Sequence, residues 1–269
     1  MTDRTRTGIV VFILAQGLTL TGCGDSRSRS TPSAPSSVLQ PASPFTSAVN
    51  GKVVDTADRP ISGALVEVVG GSQAGMSVTS TGNGEFYFAG SFDDATVFRA
   101  SREGYTAATQ SWRRVSPGQP YLLFYLGVLA PPVSIAGNYT LTFIAADACA
   151  AALPADLRSR TYAATITARS PPNVPADTRL TIEASGAEFD AYFNWFSVGV
   201  AGDYLAFWLG DEHLIEKLGA DRYLELMGSA EAVTTSGAST ISASFSGTFR
   251  YSGAPACISG HHQLVLTRR

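Results

Sequence analysis

The sequence predicts an all-β protein of two domains behind a short N-terminal leader and tether. Three observations carry this reading. Apolar residues alternate with polar ones over short runs from about residue 47 to the C-terminus, while runs of helical period are scarce. Those runs are separated by turn clusters drawn from the 26 glycines of the chain. Charged residues make up only 15% of the chain, against roughly 25% in an ordinary soluble domain. The net charge of −3 provides no basic field, so nucleic acid is not an expected partner.

The chain opens with Arg4 and Arg6 and continues into the apolar run Gly8 to Leu20. That run is shorter than the roughly 20 residues needed to span a bilayer, so it reads as a signal peptide over residues 1–22. It ends in Leu20-Thr21-Gly22-Cys23, which resembles the lipobox of bacterial lipoproteins. The resemblance implies cleavage before Cys23 and acylation of its thiol, with the membrane as partner through the lipid. The alternatives are an uncleaved anchor or a secreted protein with a chance cysteine. Asp25 stands one place later than the inner-membrane retention position. The expected location is therefore the bacterial cell envelope, lipid-anchored at the outer membrane and facing the periplasm or the cell surface. Residues 23–46, rich in Ser, Pro and Thr, cannot bury enough apolar surface to offset their ordering entropy and are expected to be a disordered tether.

Residues 47–130 supply the first domain. Val49 to Asp55 is a strand. Arg59 to Ala64 is a turn and re-entry, and Leu65 to Val69 is the next strand. Gly70 to Gly75 is a hairpin tip, without the Lys-Ser/Thr ending of a phosphate loop. Val78 to Ser80, the turn Thr81-Gly82-Asn83-Gly84, the alternating pair Phe86 and Phe88, Val97 to Ala100 and Leu122 to Leu126 complete the domain. Taken in order, Gly51-Lys52-Val53, Pro60-Ile61-Ser62-Gly63-Ala64-Leu65-Val66, Thr79, Asn83-Gly84, Phe86-Tyr87-Phe88 and Gly104-Tyr105 resemble the carboxypeptidase regulatory-like domain. That resemblance implies a transthyretin-like β-sandwich with an accessory role and no catalytic residues of its own. Ser80-Thr81-Gly82 departs from the family's acidic turn and removes a potential cation ligand.

Ala130-Pro131-Pro132 marks the boundary, and residues 133–269 form the second domain. Strand-like segments lie at about 137–143, 161–168, 178–184, 187–198, 203–209, 222–233, 240–251 and 261–267, with one short helix expected around Pro154. Eight strands with short connections can close an up-and-down antiparallel barrel, and the plan loosely resembles that of lipocalins; a second sandwich is the alternative. Cys149 and Cys257 flank this region. With Cys23 committed to lipid they are left for each other, and an exported compartment permits the disulfide; the alternative is two separate buried thiols.

Aromatic residues crowd positions 189–208. Phe193, Trp195, Tyr204 and Trp208 are the candidate wall of a pocket for an apolar or sugar ligand, or else core and domain-packing residues. His213-Leu214-Ile215-Glu216 spells H-x-x-E, a zinc half-motif if it lay on a helix, with His261 or His262 as third ligand. The chain has no room for the α/β peptidase domain that such a motif serves, so His213 is read as part of an exposed polar loop. Asp55, Asp58, Asp93 and Asp94 fall on turns without calcium-loop spacing, and no G-x-S-x-G elbow occurs. No cofactor, metal or catalytic residue is expected. The resulting expectation is a non-catalytic, membrane-anchored envelope lipoprotein with a binding or structural role, with an envelope protein as a further candidate partner. The alternative is a lipocalin-like carrier of a small apolar ligand.

Overall fold

The computed structural model describes residues 48–112, 121–169 and 171–269, which belong to one compact unit; for Asp211 and Glu212 it describes the backbone alone. Residues 1–47, with the expected signal peptide, Cys23 and the whole tether, lie outside the described residues.

Among the described residues seven strands build the first domain: β1 (Val49–Asp55), β2 (Leu65–Gly70), β3 (Ser77–Thr79), β4 (Glu85–Phe88), β5 (Val97–Ser101), β6 (Ala108–Ser111) and β7 (Tyr121–Leu126). They form two sheets, ordered β4-β1-β7 and β3-β2-β5-β6. The first and last strands, β1 and β7, run parallel to each other, and β1 pairs with β4 antiparallel. Alternation along each strand sends Val49, Val53, Phe86, Phe88, Leu122 and Phe124 inward. They meet Val66, Val68, Phe98 and Trp112 in a single core. Aromatic edge contacts such as Phe86–Phe88, with ring centres 6.1 Å apart, fill the space between the sheets. Gly84 (φ 76°) takes the left-handed position of the turn into β4, and a Cβ there would stand 2.4 Å from the Val53 carbonyl oxygen. The strand β6 is an addition to the sequence reading.

The second domain is a closed barrel of eight antiparallel strands, which resolves the choice between barrel and sandwich. The strands are β8 (Gly137–Ile144), β9 (Ser159–Arg169), β10 (Arg179–Ser185), β11 (Phe189–Ala201), β12 (Tyr204–Gly219), β13 (Arg222–Val233), β14 (Thr240–Tyr251) and β15 (Cys257–Arg268). Each pairs with the next in sequence, and β15 closes on β8. The interior is filled: Tyr139, Phe143, Phe196, Phe207, Phe245 and Phe249 are completely buried within one continuous core.

Two local expectations change. The single helix around Pro154 is two 3-10 turns, Asp147–Ala151 and Ala155–Leu157, with Pro154 capping the second. The polar loop expected around His213 is part of β12. A register shift between Leu209 and Leu214 bulges that strand, and beyond it Leu214 and Glu216 are buried.

Cys149, in the first 3-10 turn, is bonded to Cys257 at the head of β15 (S–S 2.02 Å). It fastens the β8–β9 connection to the strand that closes the barrel. His261 is exposed, while His262 is completely buried. The His262 Nδ1 accepts the Ala146 N–H at 2.9 Å, and its ring packs on Phe249 with centres 4.6 Å apart. Burial lowers the His262 pKa below its ordinary 6.5.

Candidate functional site

The end of β1 builds the surface where the two domains meet. The buried Asp55 carboxylate accepts the backbone N–H groups of Ala57 (2.8 Å) and Arg59 (3.0 Å) and the Arg59 Nε (2.7 Å). These bonds fold residues 55–59 into a tight turn in which Asp58 takes φ 58°. The turn presses on the outside of the barrel. The Thr56 hydroxyl donates to the Val200 carbonyl oxygen, and Ala57 packs against Ala201 and Ala206.

Two arginines cross the junction, one from each domain. Arg179, at the start of β10, donates to the Asp58 carboxylate at 2.5 Å. Its guanidinium lies 4.7 Å from the Trp208 ring centre and 5.2 Å from that of Tyr125. Arg59 lies 4.0 Å from the Tyr204 ring centre. Burial, with a hydrogen bond to Glu231, pushes the Tyr204 phenol up to about 12. Burial and then the Asp58 charge raise that of Tyr125. Both phenols therefore stay neutral through the physiological range.

Beside these contacts opens a groove of about 470 Å³, lined by Asp58, Tyr125, Arg169, Arg179, Ser197 and Trp208 among others. It joins aromatic faces and guanidinium groups from both domains. Stacking and polar recognition are what such a surface can offer a ligand.

The four aromatic residues singled out in the sequence are only partly brought together. Phe196, Val198 and Val200 point into the barrel, so alternation turns Trp195 outward; Leu205 and Phe207 likewise leave Tyr204 and Trp208 outside. Trp208 lines the groove and Tyr204 lies under Arg59. Trp195 sits beside Arg169, 5.5 Å from ring centre to guanidinium carbon. Phe193 is apart from them, stacked on the His213 ring at 4.7 Å. Asp58, Arg59 and Arg179 are the residues that sequence reasoning missed. Asp58 and Arg179 lie 121 positions apart, and no local pattern links them.

The H-x-x-E residues separate because they lie on a strand. His213 pairs on the outer wall with Glu225 at 3.3 Å, and Glu225 also accepts Arg250 at 3.0 Å. Glu216 points into the end of the barrel, where it accepts Arg160 through both carboxylate oxygens and the Tyr162 hydroxyl at 3.0 Å. Burial, then the Glu216 charge, raises the Tyr162 pKa well above its usual value. Among the described residues no group of three or more His, Cys, Asp or Glu side chains is placed to hold a metal ion.

An all-β body of a sandwich and a closed barrel is thus the class of protein defined here. Residues 48–123 match the model of the carboxypeptidase regulatory-like domain, which covers the sandwich. No curated protein matches the chain. Among solved structures, the chain is similar to a protein of unknown function, with a proposed membrane association, from Bacteroides fragilis NCTC 9343. The identity is 10%, the coverage 83% of this chain and 98% of that one, and the TM-score 0.25.

Proposed function

We propose that the protein is a non-catalytic lipoprotein of the bacterial cell envelope, anchored through Cys23 and acting by binding. The tether, residues 23–46, holds the two β-domains away from the outer membrane, facing the periplasm or the cell surface. The observation that carries the binding role is the groove between the domains. It is concave, draws side chains from both domains, and combines Trp208 and Tyr125 with Arg169 and Arg179. An apolar or sugar ligand, or a segment of an envelope protein, suits that surface. The carrier alternative would place an apolar ligand inside the barrel, where Phe143, Phe196, Phe207, Phe245 and Phe249 now pack. The groove is therefore the better site.

Cell fractionation tests the anchor. The full chain is expected in the membrane fraction and the Cys23→Ser variant in the soluble fraction; equal distribution of the two would end the lipoprotein reading. Native mass spectrometry of the Cys23→Ser protein tests the binding role. A co-purifying mass that is lost in Trp208→Ala supports the groove, and one retained in that variant excludes it.

A further inference from the structure

We propose a second binding site, for a neutral glycan, on the outer face of the sheet β4-β1-β7. In that sheet Asn50 stands directly opposite Tyr87 on one side and Tyr121 on the other. Directly opposed residues share a face. Phe86, Phe88, Val49, Leu122 and Phe124 are buried in the core, so Tyr87, Asn50 and Tyr121 form one row on the opposite surface. Both tyrosines are 58% exposed. They stand two strand spacings apart, about 10 Å, with Asn50 between them. A cavity of about 440 Å³ takes in all three, with Gly51, Val78, Thr79, Thr81, Glu85 and Phe86 also in its wall.

The centre of the row holds the unusual atom. The Oδ1 of Asn50 is buried and has no hydrogen-bond partner. A buried carbonyl left unpaired costs about 1–3 kcal/mol, and native proteins seldom leave one so. Asn50 as a whole is only partly buried, and it stands between two large exposed aromatic groups whose burial would be favourable. A sugar ring answers each feature. Its C–H faces lie against the electron-rich faces of tyrosine rings. A turn of the partly buried Asn50 side chain presents its amide to the sugar, so that one hydroxyl can donate to the Oδ1 while a neighbouring one accepts from the Nδ2. Glu85 in the wall disfavours an anion, and an acyl chain would leave the Asn50 Oδ1 without a partner. The site lies on the sandwich and is independent of the groove between the domains.

Isothermal titration of the purified full-length protein, in a detergent without a sugar headgroup, provides the test. The probes are cellohexaose, maltohexaose and chitohexaose. At least one is expected to bind, and Tyr87→Ala and Tyr121→Ala are each expected to weaken that binding about tenfold. Asn50→Ala should weaken it as well. Both tyrosines are exposed, so their variants should keep the wild-type melting temperature, and a loss of binding then reports the site. Failure of all three glycans to bind at about 10 mM, or binding unchanged in the Tyr87→Ala/Tyr121→Ala double variant, would overturn the proposal. Neither result touches the membrane fractionation of the Cys23→Ser pair.

Discussion

Glu216 shows how a single residue can be misread when its partners are distant in sequence. The residue is 4% exposed, a location that would expel a charge unless it were fully paired. The pairing comes from Arg160 and the Tyr162 hydroxyl, more than 50 positions away. Those bonds close one end of the barrel with a polar plug inside an apolar wall. Removing one partner of such a pair is more damaging than removing both, because the remaining charge stays buried. Arg160→Met is accordingly expected to cost about 3 kcal/mol. The double variant Arg160→Met/Glu216→Leu should recover most of that loss. Urea denaturation of the two variants checks this, and equal losses would mean that Glu216 finds water when Arg160 is gone.

The strands themselves were largely legible, because alternation with period two is a local property. Most of the barrel strands follow it, and so do β1, β2, β4, β5 and β7. Two elements escaped for identifiable reasons. In β6 the sequence Ala-Thr-Gln-Ser has no large apolar side chain to mark an inner face. In β12 the inward positions are Leu205, Phe207 and Leu209 before the bulge and Leu214 and Glu216 after it. That change from odd to even positions breaks the pattern where the strand continues. Large apolar side chains at both odd and even positions of β11 and β12 kept the facing of Phe193, Trp195, Tyr204 and Trp208 out of reach, although their crowding was plain. The disulfide was legible once Cys23 was set aside for lipid, which left two cysteines for each other. It joins residues 108 positions apart and ties the β8–β9 connection to β15. Closing a loop of that size stabilises by about 4–5 kcal/mol in the chain-entropy model. Reductant should therefore lower the urea midpoint, and Cys149→Ser/Cys257→Ser should reproduce the reduced value. An unmoved midpoint would show that the barrel ladder alone holds these ends in place.

The relation between the two domains rests on a small contact, and one residue decides how close that contact can be. The apolar part comprises Ala57, Ala201 and Ala206, with Val128, Tyr204 and Trp208 around them. Small side chains there let the turn at residues 55–59 lie directly on the barrel wall. Gly199 is the tightest point: a Cβ would stand 2.6 Å from the Thr56 carbonyl oxygen, 2.6 Å from the Trp208 ring and 3.0 Å from the Ala57 Cα. Two of these three neighbours are backbone atoms of the other domain, which cannot rotate away as a side chain can. The side chain at position 199 points out of the barrel, so a larger residue leaves the barrel core intact and acts on the junction alone. Gly199→Val is expected to lift the turn, break the Thr56–Val200 hydrogen bond and pull Asp58 from Arg179. Scanning calorimetry should then change from one cooperative transition to two. The sandwich should melt first, because it is the smaller unit and lacks the disulfide that closes the barrel. The co-purifying ligand expected in the groove should be lost in the same variant, since the groove needs Asp58 and Tyr125 from one domain and Arg179 and Trp208 from the other. A single transition at the wild-type temperature would mean that the turn yields without uncoupling the domains.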